Sequence, residues 1–95
     1  MFISSSRISL STEECVSLKE KRSVVKSLVS SVRAKFNVSI AEIEDNNTCK
    51  HAVIGLVFVS NEKKFSEEVL SGVVDFINRR YQGRLEHYDL DIYAR

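Results

Sequence analysis

SLKEKRSVVKSLVSSVRAKFNVSIAE, residues 17–42, reads as a capped helix, a short turn and a strand. Ser17 and Glu20 have the spacing of a capping box: the serine hydroxyl accepts from the Glu20 amide and the glutamate reaches back to the Ser17 amide. The helix therefore starts near Leu18. Leu18, Val25, Leu28, Val29, Val32 and Phe36 recur at the spacing of one helical face, which predicts a single buried stripe. Lys19, Arg22, Lys26 and Arg33 run along one border of that stripe, and Ser23, Ser27, Ser30 and Ser31 fill the outer surface. Asn37 is placed to end the helix as a left-handed cap. Val38, Ile40 and Ile43 then supply β-branched residues for a strand over about residues 38–44.

Outward from this unit, residues 2–10 alternate. Phe2, Ser4, Ser6, Ile8 and Leu10 fall on one side of a strand, and Ile3, Ser5, Arg7 and Ser9 on the other. After the second strand, Asp45-Asn46-Asn47-Thr48 is a cluster of turn formers, so the second and third strands are expected to pair as a hairpin. The third strand, about Cys49 to Ser60, is apolar at nearly every position from Ala52 to Val59, the pattern of a strand covered on both faces. Ser60-Asn61 offers a cap for a second helix, whose predicted apolar face is Phe65, Val69, Leu70, Val73, Phe76, Ile77 and Tyr81. Glu67, Glu68 and Asp75 lie on its outer side, and Gly83 terminates it. The last run sets Tyr88, Leu90 and Ile92 against His87, Asp89, Asp91 and Tyr93, which predicts a final strand with one core face.

The order β-α-β-β-α-β with right-handed crossovers closes into an α+β ferredoxin-like sandwich: a four-stranded antiparallel sheet, order 4-1-3-2, with two helices on one face. One domain over residues 1–95 accounts for the whole chain, since no linker, repeat or low-complexity segment divides it. The helix-free side of the third strand must present either Ala52, Ile54, Leu56 and Phe58 or Val53, Val57 and Val59. Either set leaves an apolar patch, the usual mark of association, so a homodimer or a docked partner is expected on the open sheet face.

Composition narrows the function classes. With 43% hydrophobic and 28% charged residues the chain is expected to be a soluble globular protein. A net charge of +1 means that any grip on nucleic acid must come from a local patch and not from the overall field. No run reaches the roughly 18 apolar residues of a membrane span, so no membrane role is expected. Cys15 and Cys49 follow no secretory signal, which predicts a reduced, cytoplasmic protein.

Ser17 to Arg22 (SLKEKR), Phe36 to Glu42 (FNVSIAE) and Val59-Ser60-Asn61 at the second helix together resemble the bacterial YlxP-like proteins, a family of unknown function. The resemblance runs along essentially the whole chain. It implies a ferredoxin-like fold, and a gene neighbourhood of translation initiation and ribosome maturation factors, which suggests ribosome-associated work. Relatives usually carry a Pro-Gly loop before the SLKEKR block, where this chain has Glu13-Glu14-Cys15-Val16.

The basic border of the first helix is the one charge constellation that points to a partner. Lys19, Arg22, Lys26 and Arg33 are candidate RNA phosphate contacts, and the plainer alternative is a solvated flank whose stems cover apolar edges. Tyr93 and His87 are the stacking candidates, without an RNP motif. Cys49 and His51, with Cys15 and His87, lack the paired spacings of a structural zinc site, so no metal is expected. Asp89 and Asp91 could share a proton or a cation, or simply keep a solvated edge strand from aggregating. Gly55, Gly72 and Gly83 are isolated and form no phosphate loop, so no cofactor is expected. No nucleophile, base and orienting group can be placed together. The expectation is a non-enzymatic accessory protein that binds ribosomal RNA or a ribosomal subunit precursor through the first helix. The alternative is a small homo-oligomeric binding module that takes a metabolite or protein partner on the open sheet.

Overall fold

Alternation builds the two long strands, and their pairing sets the frame. The computed structural model describes residues 1–44 and 50–95; the expected turn at Asp45 to Thr48, and Cys49, lie outside the described residues. Strand β1 (Phe2–Ser11) lies antiparallel to β3 (His51–Ser60), with Phe2 opposite Ser60 and Ser11 opposite His51. Ile8 and Leu10 of β1 face the same side as Ala52, Ile54, Leu56 and Phe58 of β3, and all six are buried. This settles which side of β3 meets the helices. The other side was expected to be covered too, but Val57 and Val59 are 47% and 62% exposed, because both helices pack on one face.

Strand β2 (Ser39–Glu44) adds to the outer side of β3, and a bulge between Glu42 and Glu44 pushes Ile43 out of the ladder. The Ile43 side chain then lies over Gly55, where an added Cβ would stand 2.9 Å from its Cγ2; glycine makes room in the central strand. The final run was expected as one strand but forms two pieces, β4 (Leu85–Tyr88) and β5 (Asp91–Ala94). Tyr88 opposite Ile8 and Asp91 opposite Ser5 share one register against β1, and a bulge shifts β4 between Ser9 and Leu10. The break comes from Asp89, whose carboxylate takes the Arg7 amide at 2.8 Å while its carbonyl takes the Ser6 hydroxyl at 2.6 Å. Side-chain bonds have replaced a ladder bond. The sheet order β2-β3-β1-β4, with β5 continuing along β1, is the expected 4-1-3-2 order read from the opposite edge.

Helices α1 (Leu18–Lys35) and α2 (Lys63–Arg80) close the core over Ile8, Ile54 and Leu56. Val25, Leu28, Val29 and Val32 of α1 are buried as the stripe requires. Asn37 does not cap the helix: Phe36 leaves α1 in an extended conformation, its amide bonded to the Val32 carbonyl, and among the described residues only glycine takes a positive φ. Ser60 and Asn61 do not cap α2 either. Glu62 is the N-cap without a side-chain bond, and the Ser60 hydroxyl instead meets the buried Ser66 hydroxyl at 2.5 Å. The buried face of α2 is Ser66, Leu70, Val73, Val74 and Ile77, while Phe65 is 50% exposed. It shares Leu70, Val73 and Ile77 with the expected face and turns away only from Phe65. Phe76 is half-buried, edge-on to Phe36 with ring centroids 5.8 Å apart, which ties the C-terminal end of α1 to α2.

Candidate functional site

The capping box positions the start of α1, with one difference from expectation. Ser17 Oγ accepts from the Glu20 amide at 3.1 Å, but the Glu20 carboxylate reaches back to the Val16 amide, at 3.2 Å, and not to Ser17. From that fixed start, positions 19, 22 and 26 are exposed on successive turns, so Lys19, Arg22 and Lys26 stand over about 10 Å of helix axis. None of the three forms an ion pair with a described residue. Arg22, Lys26 and Arg33 line a groove of about 330 Å³ between α1 and the edge strand β2, floored by Val25 and Val29.

Arg33 is different from the other three. Its guanidinium donates to the Ile40 carbonyl at 2.8 Å, so it caps a backbone acceptor of the edge strand. An edge strand invites pairing with other chains, and a charged side chain bonded there discourages it. The structure thus brings Arg22, Lys26 and Arg33 together but gives Arg33 a structural duty. Glu42 enters the same groove from β2, and its Oε2 is buried without a hydrogen-bond partner. It adds one negative charge to the groove, and that oxygen is closed to solvent.

Lys21 was not singled out in the sequence, yet it is 1% exposed and occupies the core-facing row of α1. It lies one turn after Leu18 and one before Val25, so helical periodicity alone assigns it inward. On the opposite flank, Tyr81 at the end of α2 meets Ser27 Oγ at 3.1 Å and Ser31 Oγ at 3.3 Å. Burial alone would raise its phenol. The bonds to Ser27 and Ser31, with the nearby Arg80 charge, outweigh burial and hold the phenol below the ordinary tyrosine value. A depressed folded-state value adds stability only where the phenol ionises: the gain is complete above the unfolded value near 10 and lost as pH falls through the folded value. Tyr81→Phe is therefore expected to lose more stability than the wild type between mildly and strongly alkaline pH. Urea midpoints measured along that range check it, and parallel curves would refute it.

The other sequence candidates are scattered. Cys15 is buried. His51 Nδ1 meets Glu86 Oε1 at 3.1 Å at the end of the sheet, and His87 Nε2 meets Ser9 Oγ at 3.2 Å. Asp89 is spent on the Arg7 amide, so it does not stand as a free partner to Asp91. Among the described residues no group of three or more His, Cys, Asp or Glu could hold a metal ion, and no helix is long and apolar enough to cross a membrane. The open sheet face carries a shallow bowl of about 370 Å³ floored by Ser5, Ser39, Ala41 and Gly55. Arg7 crosses this face to pair with Glu44, and Tyr93 stands 57% exposed at its far end, opposite Ile3.

The family described as "Protein of unknown function (DUF503)" matches residues 3–90. The Bacillus subtilis (strain 168) "Uncharacterized protein YlxP" is 40% identical over 70 residues, which cover 68% of this chain and 76% of that protein. Among solved structures, "De novo designed protein Foldit4" matches with a TM-score of 0.53 at 14% identity, over 99% of this chain and 97% of that one. At that identity the match concerns the fold alone.

Proposed function

Since this chain belongs to the DUF503 family, whose description assigns no activity, we propose from its own surface that it is a non-enzymatic accessory protein that binds structured RNA, with a ribosomal RNA or subunit precursor as the target. The observation that carries this is the set Lys19, Arg22 and Lys26: three exposed cations on successive turns of one helix, none in an ion pair with a described residue. Cations without partners among the described residues, two of them lining the groove, suit phosphates, which position a nucleic acid without reading its sequence. Glu42 lines the same groove from β2, and its carboxylate repels phosphate there, so the phosphates lie on the α1 side. Arg33 supports the edge of the groove and contributes to RNA only through its field.

Fluorescence anisotropy of a labelled RNA hairpin across a salt series tests the reading. Three phosphate contacts predict a slope of log K against log salt of about −2 to −3. Arg22→Ala is expected to flatten that slope by about one contact, and Arg33→Ala to leave the slope while lowering thermal stability. A slope near zero, or binding that survives high salt unchanged, would refute phosphate contact by α1.

A further inference from the structure

We infer that the open face of the sheet is a self-association surface and that its occupant is a second copy of this chain. Part of the face is apolar where it should be wet. Val57 and Val59 of β3 and Tyr93 of β5 are 47%, 62% and 57% exposed, and Ile43 of β2 is 46% exposed. Register puts Val59, Ile3 and Tyr93 side by side across three strands, a continuous ridge at one end of the face. Exposed patches of this continuity on a small domain mark an interface.

Size, shape and charge together select a second copy. β1 and β3 are ten residues each. With the flanking strands they give a face of roughly 600 Å² at ordinary strand rise and spacing. That is most of the about 800 Å² per partner that a stable interface buries. The ridge has its complement on the same face: next to it lies the bowl of about 370 Å³ whose floor is Ser5, Ser39, Ala41 and Gly55. A two-fold axis crossing the strands near Val57 sets the ridge of each copy into the bowl of the other, the arrangement of an isologous contact. Two face-to-face sheets then bury the second side of β3, which accounts for a strand apolar on both sides. The charges on the face are of both signs, Arg7 with Glu44 and then Asp91, and so select neither a strongly basic nor a strongly acidic partner.

Sedimentation velocity of the full chain over a wide concentration range tests the proposal. The expected result is a species of twice the chain mass that Val57→Asp with Val59→Asp converts to a monomer with an unchanged circular-dichroism spectrum. Should that variant lose its fold, a second measurement decides. In a chain with Cys15 and Cys49 replaced by alanine, Val57→Cys is expected to be captured as a dimer by a short bis-maleimide, whereas Ser23→Cys on the outer side of α1 is not. A wild type that stays monomeric throughout, a dimer indifferent to the two aspartates, or equal capture at Ser23 would overturn the proposal.

Discussion

Lys21→Ala is expected to lower the stability of the domain by about 3 kcal/mol, a truncation cost in the range of large-to-small core changes. Lys21 is 1% exposed, in the same inward row as Val25, Leu28 and Val32, so its four-carbon stem is part of the core although its head is charged. At roughly 4–8 °C per kcal/mol for a domain of this size, the melting temperature is expected to fall by more than about 10 °C. Lys21→Met separates the two contributions. Methionine keeps the stem volume but drops the ammonium and the interaction it makes in the fold, and is expected to recover part of the loss. Urea unfolding of the two variants checks this. A methionine variant as unstable as the alanine variant would show that the charge, and not the packing, holds Lys21 in place.

The second large effect concerns binding. Reversing Lys19, Arg22 and Lys26 to glutamate together is expected to weaken RNA binding by at least about a hundredfold at low salt, because three attractive phosphate contacts become repulsive. The fold should not suffer, since all three side chains are exposed. Arg33 is left out of this variant for a physical reason. Its guanidinium bonds to the Ile40 carbonyl at 2.8 Å, and a carboxylate there would face a carbonyl oxygen and expose the β2 edge. Loss of binding after that change would be ambiguous. Anisotropy titration of the triple variant, alongside its circular dichroism, measures the effect directly, and binding retained within a fewfold of wild type would count against the basic flank.

The architecture was legible because its signals are local and redundant. The alternation in residues 2–10 and the stripe from Val25 to Val32 each specify an element and its inner face, the apolar run of β3 specifies a strand but not which of its sides packs inward, and the order of elements leaves few topologies. What escaped detection depends on neighbours. In α2 the expected face holds at Leu70, Val73 and Ile77, with Val69, Phe76 and Tyr81 half-buried, but Phe65 is exposed and Ser66 and Val74 are buried in its stead, a choice made only by packing against the sheet. Lys21 sits where periodicity puts it, but residue type argued for the surface. The break at Asp89 leaves the alternation of His87, Asp89 and Asp91 intact, so no pattern betrays it; it arises from bonds to Ser6 and Arg7, distant in the chain.

The candidate site was legible in part for the same reason. A basic stripe can be drawn from helical spacing alone, and Lys19, Arg22 and Lys26 stand exposed along it. Which of its members are spoken for is decided by β2, which takes Arg33 and contributes Glu42. The homodimer expectation rested on an apolar open face, and the exposure of Val57 and Val59 identifies the residues such an interface would use.

Sedimentation of tagged protein from a cell lysate through a sucrose gradient, at low and then moderate salt, is the most direct measurement of the central claim. The account predicts that wild type co-migrates with a ribosomal subunit at low salt, that moderate salt weakens the association, and that the folded Lys19, Arg22 and Lys26 reversal variant stays at the top of the gradient. A wild type at the top under both conditions, or a reversal variant that travels with the subunit as well as wild type does, would contradict it.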